Sequence, residues 1–380
     1  MRKVESGSVT GKPGVDYAVR VISGEARGPL AGVLRVGLSA LSLLYRGILV
    51  LWLFPYRLGI RKRRRLPCRV ISVGNITFGG TGKTPTVRTI AAEMVARGLR
   101  PVILSRGHGG GSNSRAAVVS DGNKRLMQAA ECGDEPAMLA DLLPGVPVVI
   151  GKNRWESGQI AIQRFKPDII LLDDGLQYWQ LDRQADVVLV NAVEPFGYGH
   201  VMPRGALREP ASGLRRASVV LITNSDKVSS AQLDDVRNRI AGIAPGKLIV
   251  EASHCPVGLR TLAGESLGLD WLSGRPVSTV CSIGTPGLFR DSVAALGANV
   301  VRDFSFPDHH LWRSEEIGAI AGEAADAGAE ALVTTEKDAV KLPAGELKLP
   351  ILAVDIKVEF RHRDLVGALL DMVNDVEPKL

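Results

Sequence analysis

A glycine-rich segment that ends in lysine and threonine carries the clearest chemistry in the sequence. It follows a short apolar run at 70–73 and consists of Gly79, Gly80, Thr81, Gly82, Lys83 and Thr84. Glycines let backbone N–H groups point at a phosphate, and the helix predicted to follow adds its dipole and its unpaired N–H groups. Lys83 can reach terminal phosphate oxygens, and the Thr84 hydroxyl can hold a magnesium ion that bridges them. The segment therefore predicts a nucleoside triphosphate site.

The spacing departs from the strict phosphate-loop pattern. Thr77 stands where that pattern has its first glycine. Loops of the form GGxGKT also occur in partitioning ATPases, where a lysine usually stands at the position of Phe78. The alternative interpretation is a turn that binds nothing, but the glycines, the lysine and the threonine between a strand and a helix favour the phosphate site.

Two adjacent carboxylates, Asp173 and Asp174, end the apolar run Ile169–Leu172. A carboxylate at a strand end can position the magnesium ion that Thr84 also touches. Two neighbouring carboxylates are costly without a cation, which favours a metal site over a capped turn. The predicted metal ligands are therefore Thr84, Asp173 and Asp174.

Four further polar residues lie in turn-rich segments. Asp134 could accept a proton from an attacking hydroxyl, and a helix cap is the alternative. Arg106 lies on a glycine-rich loop and suits an anionic substrate group, unless that loop is only a flexible surface loop. Arg154 could offset charge on a transferring phosphoryl group, with a solvated basic turn as the alternative. Arg208 could bind phosphate or substrate.

A histidine near the C-terminal third is the last candidate. His309, flanked by Asp308, is a possible acid–base or metal-adjacent group, and a structural histidine is the alternative. The stretch Thr223–Asp226 is not an N-K-x-D guanine reader, which argues against GTP.

The elements that must position these residues alternate between strand and helix. Short apolar runs bounded by turn residues predict a mostly parallel sheet buried on both faces, in an α/β fold. Ligands in such sheets collect at the carboxyl ends of the strands. A second strand and helix set begins near Pro276, and Leu248–Thr261 and Ile351–Phe360 are expected to join the two parts as a hinge.

The predicted organisation has five parts. They are a loosely ordered N-terminal tail at 1–28, a hydrophobic and basic membrane-associating segment at 29–66, a phosphate-loop kinase domain at 67–250, a hinge with a smaller α/β domain at 251–360, and a C-terminal helix at 361–380. Four cysteines lie far apart with no CxxC pair, which indicates neither a zinc site nor a disulfide framework and suits a reducing cytoplasm.

The positive charge is concentrated at the N-terminus. The formal net charge is +7, but residues 1–65 hold 13 Lys and Arg against 3 Asp and Glu. This argues against a nucleic-acid groove on the main body and for a local anionic partner such as a membrane surface. Val36–Phe54 is almost wholly apolar, so it could span a bilayer or lie in the interface, with Arg61–Arg65 on the cytoplasmic side. A buried core helix is the alternative, and Pro55 is expected to form a loop.

Seven motifs in order behind this N-terminal segment resemble tetraacyldisaccharide 4'-kinase, the lipid A 4'-kinase of Gram-negative bacteria. They read GNITFGGTGKTP, SRGHGG, GDEP, DDGLQY, PRGALREP, FPDHH and TEKDAVKL. The resemblance implies transfer of the ATP γ-phosphate to the 4'-hydroxyl of a tetraacylated glucosamine disaccharide 1-phosphate at the cytoplasmic face of the inner membrane. It also implies a larger phosphate-loop domain and a smaller one joined by a two-stranded hinge.

The resemblance implies roles for individual residues. Lys83 and Thr84 would bind the phosphates and magnesium, with the Asp173–Asp174 pair supporting the metal. Asp134 matches the family's catalytic base, His309 its partner from the second lobe, and Arg106 would meet the substrate phosphate. Two positions depart from the family's common form. His108 stands where tyrosine is usual after SRG, and Tyr178 stands where histidine often follows DDGxQ.

The expected partners are ATP, Mg²⁺, the lipid substrate and a membrane surface with anionic head groups, with no nucleic acid and no obligate protein partner. A membrane-associated partitioning ATPase is the rival from another class. Phe78 and the FPDHH motif count against it. A small-molecule kinase or carbon–nitrogen ligase would leave the hydrophobic N-terminus unexplained.

Overall fold

The computed structural model describes residues 13–107, 110–111, 116–284, 286–307, 310–343, 347–361 and 364–374. Within these ranges the α-helices are α1 (Pro13–Ser23), α2 (Pro29–Arg57), α3 (Lys83–Ala96), α4 (Ala129–Cys132), α5 (Asp134–Leu142), α6 (Arg154–Phe165), α7 (Ser230–Ile243), α8 (Pro286–Ala295), α9 (Ser314–Asp326), α10 (Glu336–Ala339) and α11 (Leu365–Asn374). The strands are β1 (Arg69–Asn75), β2 (Pro101–Ser105), β3 (Ala117–Ser120), β4 (Val148–Ile150), β5 (Ile169–Asp173), β6 (Ala185–Asn191), β7 (Val219–Thr223), β8 (Leu248–Thr261), β9 (Ser266–Leu267), β10 (Pro276–Cys281), β11 (Asn299–Ser305), β12 (Ala331–Thr335) and β13 (Ile351–Arg361).

All of these strands belong to one sheet, in the order β11-β10-β12-β13-β8-β7-β6-β1-β5-β2-β4-β3, with β9 paired to β8. The pairs are parallel except β13–β8, β8–β9 and β3–β4. Every residue of β2, β5 and β7 is buried, because helices cover both faces. The predicted α/β fold with a mostly parallel sheet is confirmed.

Side-chain alternation along β1 divides the core between the two faces. Ile71 and Val73 pack in a cluster that includes Ile90 of α3, whereas Val70 packs in the cluster that includes Ala161 of α6. Successive residues of a strand point to opposite faces. The alternation therefore fixes α3 on one face and α6 on the other, and both helices start at the carboxyl edge of the sheet.

Two long antiparallel strands, β8 and β13, connect the two halves of the sheet. Their register runs from Leu352 opposite Thr261 to Arg361 opposite Glu251. β8 also pairs with β7, and β13 also pairs with β12. The chain thus crosses twice between the halves, as the predicted two-stranded hinge requires. We call residues 67–250 the first lobe and 251–360 the second lobe, with the boundaries as predicted from the sequence.

The N-terminal region is more helical than predicted. Residues 13–23, expected to lie in a loosely ordered tail, form α1, and Val21 of α1 packs with Ala26 and Ala31 in a small apolar cluster. Pro55, expected to form a loop, lies inside α2. It falls in the last turn, where the missing N–H costs one hydrogen bond and leaves the preceding turns intact.

Helix α2 is long and apolar enough to cross a membrane, judged by length and composition, and only 11% of its most apolar window is buried. Leu43 and Leu51 are among its large exposed apolar side chains. A helix buried in a soluble core would hide these side chains, so the core-helix alternative is wrong for the described part of the chain. On its other side α2 meets the first lobe, where the Tyr45 hydroxyl donates to Arg208 O at 2.8 Å.

Candidate active site

The glycine-rich loop connects the end of β1 to the start of α3. Gly79 and Gly82 have φ values of +105° and +78°, a region that favours glycine. Asn75 Nδ2 donates to Thr81 Oγ1 at 2.8 Å, and the Thr223 hydroxyl at the end of β7 donates to Thr81 O at 3.1 Å. The ends of β1 and β7 therefore hold Thr81 in place and fix the conformation of the loop.

Lys83 and Thr84 occupy the first turn of α3. Lys83 Nζ donates to Asn75 Oδ1 at 3.3 Å and lies 3.9 Å from Asp174 Oδ1. Thr84 is buried. The lysine is thus folded back over the loop beside a carboxylate, as expected for a residue that reaches terminal phosphate oxygens.

The paired carboxylates lie on the strand next to β1. Asp173 ends β5 and is the register partner of Val73 on β1. The Ser105 hydroxyl donates to Asp173 Oδ2 at 3.0 Å. Asp173 is 1% exposed, and its Oδ1 accepts no hydrogen bond from any group that the structure describes. A buried carboxylate oxygen without a donor suits a cation ligand.

The two carboxylates differ in their electrostatic surroundings. Burial, with repulsion from Glu135 and Asp174, raises the pKa of Asp173 to about 7. Burial also opposes the ionisation of Asp174, but Lys83 and Arg208 outweigh it and lower the pKa of that carboxyl. Asp174 is therefore held as a carboxylate by its cationic neighbours, whereas Asp173 needs a further positive charge to ionise easily.

Magnesium fits this donor set. A threonine hydroxyl and carboxylate oxygens are the hard ligands that Mg²⁺ prefers, and it usually takes only one or two carboxylates together with substrate phosphates and waters. Among the described residues, no cluster of three or more His, Cys, Asp or Glu forms a complete cage. Thr84, Asp173 and Asp174 thus remain the predicted ligands.

The predicted substrate arginines lie in different settings. Arg208 Nη1 donates to both oxygens of Asp174, at 2.9 and 2.8 Å, and its guanidinium stacks over the Phe78 ring.

Arg154 is buried and donates to Gly151 O at 2.7 Å, so the solvated-turn alternative is wrong. Burial lowers the pKa of Arg154, and Arg106, which is exposed after β2, lies near enough to add to that effect.

Asp134 is the first residue of α5, after the glycine that caps the helix. The residue is buried, and Lys341 Nζ lies 3.4 Å from its Oδ2. Its neighbour Glu135 acts on Asp173 across the site. The start of α5 therefore faces the carboxylate end of β5. The predicted partner His309 lies outside the described residues, as does His108.

Sequence reasoning missed Asn75, His254 and Lys341. Asn75 is the last residue of β1, so its place before the loop was a usable signal. Lys341 belongs to the TEKDAVKL motif, but the motif does not indicate which of its charged side chains lies next to the first lobe. His254 lies on β8, and its ring stands against Gly82 so closely that a Cβ there would collide with it. No local pattern marks that contact.

Tyr178, one of the two departures, has a structural contact. Its hydroxyl accepts a hydrogen bond from Arg154 N at 3.0 Å, and the Arg154 guanidinium lies over its ring. The side chain therefore ties the segment after β5 to the start of α6.

Comparison with known proteins gives consistent matches along almost the whole chain. The family model described as tetraacyldisaccharide-1-P 4'-kinase matches residues 34–374. A tetraacyldisaccharide 4'-kinase of Halothermothrix orenii is 37% identical over 343 residues, which cover 87% of this chain and 89% of the relative. One from Syntrophus aciditrophicus is 38% identical over 359 residues, with coverages of 92% and 95%.

A solved structure matches as well. The crystal structure of an "apo" form LpxK from Aquifex aeolicus in complex with ATP superposes with a TM-score of 0.74 at 30% identity. The match covers 90% of this chain and 99% of that one. Both lobes and the strands between them are therefore shared with that kinase.

Proposed function

Because the chain belongs to the tetraacyldisaccharide-1-P 4'-kinase family, we propose that it transfers the γ-phosphoryl group of ATP to the 4'-hydroxyl of a tetraacylated glucosamine disaccharide 1-phosphate. The observation that carries the proposal is the meeting of three predicted groups at one edge of the sheet. The phosphate loop with Lys83, the carboxylates at the end of β5 and the start of α5 with Asp134 all face this edge.

In phosphoryl transfer the protein contributes mainly by positioning the reacting groups and by neutralising the charge of the phosphates. The backbone N–H groups of residues 79–84 and the ammonium of Lys83 hold the triphosphate. Thr84, Asp173 and Asp174 would hold a magnesium ion, which would supply positive charge to the phosphate oxygens. Arg154 and Arg106 add positive charge on the side of the site next to β2 and β4.

Asp134 takes the role of general base. The 4'-oxygen forms a bond to the γ-phosphorus, the bond from that phosphorus to the bridging oxygen breaks, and ADP leaves. The hydroxyl proton passes to the Asp134 carboxylate, with His309 as the proposed partner in that transfer. Arg106 and Arg208 are the proposed contacts for anionic groups of the substrate.

The N-terminal region keeps the enzyme beside its lipid. α2 exposes apolar side chains along most of its length, and the basic run that follows it faces anionic head groups on the cytoplasmic side of the inner membrane. Part of this run also contacts the first lobe. Arg63 and Arg64 stack over Trp179 and Trp155, and Arg65 pairs with Asp182 at 2.7 Å. These contacts support a fixed orientation of the first lobe toward the membrane.

The test is direct. Purified full-length protein in detergent is incubated with ATP labelled at the γ-phosphate, Mg²⁺ and the tetraacyl disaccharide 1-phosphate, and the lipid is separated and analysed by mass. We expect a labelled bis-phosphorylated lipid that is absent without Mg²⁺ or with the Lys83→Ala variant. ATP hydrolysis with an unmodified lipid would reject the kinase and favour the partitioning ATPase.

A further inference from the structure

Lys341 is a buried lysine of the second lobe that reaches into the first. Its side chain is only 3% exposed. Nζ lies 3.0 Å from Asp338 Oδ1, donates to Ser282 Oγ at 2.9 Å, and lies 3.4 Å from Asp134 Oδ2. An ammonium group has three N–H donors, which is enough for one donor toward each of these three oxygens.

The two second-lobe oxygens are themselves rigidly held. Asp338 is fully buried, and its Oδ2 accepts from Ser282 N at 2.9 Å and from the Thr335 hydroxyl at 2.8 Å. Its Oδ1 accepts from the Ser282 hydroxyl. Although burial opposes ionisation, the hydrogen bonds from Ser282 and the nearby Lys341 lower the pKa of Asp338. Asp338 and Ser282 thus fix the ammonium group in place before any contact with the first lobe.

The second lobe does not need the contact between Lys341 and Asp134 for its own stability. Asp338 and Ser282 already give Lys341 a carboxylate and a hydroxyl, which would satisfy a purely structural lysine near a lobe surface. Yet Lys341 Nζ also lies 3.4 Å from Asp134 Oδ2, across the lobe boundary. Burying a carboxylate costs free energy, which a nearby cation offsets only when the geometry of the pair is good.

We propose that Lys341 positions Asp134 for proton abstraction. By holding Oδ2, the ammonium group restricts rotation of the carboxylate and balances its negative charge next to a bound triphosphate. Because Asp134 belongs to the first lobe and Lys341 to the second, the base is correctly oriented only when the lobes are in register. Lys341 acts through Asp134, and the inference therefore rests on the proposed role of that residue.

The experiment is a double-mutant cycle on the full-length protein. Lys341→Gln, Asp134→Asn and the double variant are compared with the unmodified chain in single-turnover transfer from labelled ATP to the disaccharide lipid, together with ATP binding. We expect Lys341→Gln to lower the transfer rate by about 10- to 100-fold with ATP affinity changed by less than about threefold. In the Asp134→Asn background the same change should cost less than about threefold. Lys341→Arg, which keeps the cation, should recover part of the rate.

Two results would overturn the inference. One is a wild-type rate in Lys341→Gln, and the other is a loss of the same size with and without Asp134. A normal rate in Asp134→Asn alone would instead reject the proposed base, which separates that failure from this one. Lys348→Gln is the matched control, since Lys348 pairs with Asp326 at 3.0 Å on the same lobe and is 60% exposed.

If Lys341→Gln does not fold, Lys341→Gln combined with Asp338→Asn removes the buried lysine and the charge of Asp338 together, so that the Asp338 side chain is not left as a buried carboxylate without its cation. Its melting curve shows whether the fold is kept. The same loss of transfer with retained ATP binding is expected of that variant, and a wild-type rate would again overturn the inference.

Discussion

Arg208 holds both carboxylate oxygens of Asp174 through one nitrogen, and its own backbone carbonyl accepts the hydroxyl of Tyr45 from α2. Helix α2 thus lies two contacts from Asp174, a predicted metal ligand. The segment that makes the connection, Pro203–Pro210, also pairs with the phosphate loop, since Phe78 N donates to Ala206 O at 2.7 Å. This segment therefore links α2 to the glycine-rich loop.

Arg208→Gln should weaken ATP binding. Removing the guanidinium leaves the negative charge of Asp174 less balanced beside the triphosphate, so we expect KM for ATP to rise about 10-fold at fixed Mg²⁺. Initial rates at varied ATP measure this. Arg215→Gln, an exposed arginine of the following segment, is the control and should match the wild type. An unchanged KM in Arg208→Gln would show that Lys83 alone neutralises Asp174.

Asp134→Ala should lower turnover without weakening ATP binding. A general base typically contributes about 10²- to 10⁴-fold in rate, and Asp134 is not among the groups predicted to hold the phosphates. Turnover and ATP affinity are measured on the same preparation, with Asp326→Ala, an exposed carboxylate of α9, as control. Near-normal turnover would rule out Asp134 as the base.

Gly82→Ala should impair the phosphate loop. The residue has φ of +78°, and an added Cβ meets the ring of His254. A left-handed alanine alone costs about 1 to 2 kcal/mol, so we expect ATP affinity to fall by at least about 10-fold. Calorimetric titration with ATP measures it, and Gly242→Ala, where nothing lies within 4 Å, is the control.

The same site offers a second variant. If the collision with His254 contributes to the loss, His254→Ala should restore part of the affinity in the Gly82→Ala background, because the alanine then has room. No recovery in the double variant would assign the whole effect to the backbone conformation.

Glu336 should make stability depend on pH. It pairs with Arg88 of α3, but burial outweighs this pairing, and the Asp355 carboxyl adds to the effect of burial, so the pKa of Glu336 rises to about 7 from 4.5. A carboxyl with a raised pKa in the folded state stabilises the fold below the unfolded value, and this stabilisation is lost as pH rises through the folded value. Between pH 4.5 and 7 we expect the wild type to lose on the order of 3 kcal/mol that Glu336→Gln does not lose.

Denaturant unfolding at several pH values measures the difference between the two proteins. Other carboxyls, Asp173 among them, titrate in both and cancel in the comparison. Parallel pH curves for wild type and Glu336→Gln would mean that the pairing with Arg88 offsets burial, so that the pKa of Glu336 is not raised in the folded state.

Deleting residues 1–57 should release the protein from membranes. This removes α1 and α2 but keeps Arg63, Arg64 and Arg65 on the first lobe. We expect the truncated protein to stay with the soluble fraction in flotation with vesicles of anionic lipid, and to bind ATP within about threefold of the full chain, because the phosphate loop lies on β1 and α3. Continued flotation would show that the retained basic run Arg61–Arg65 is enough to hold the protein on anionic lipid.

Local patterns in the sequence determined the type of fold and the parts of the phosphate site. A glycine-rich loop between an apolar run and an amphipathic segment specifies strand, loop and helix within 20 residues, and Asp173 with Asp174 marks the next strand end in the same way. The charge imbalance and the apolar stretch likewise indicated a membrane-associating segment. These features depend on neighbours in the chain, so they can be inferred without coordinates.

The tertiary structure alone decided which side chains meet. The contacts of Lys341 with Asp134, His254 with Gly82, and Arg208 with Asp174 join residues far apart in the chain, and each depends on strand order and on the direction in which a side chain leaves its element. Pro55 and α1 were misjudged because a proline tolerated in a last turn and a short helix packed on its neighbour leave no distinct local pattern.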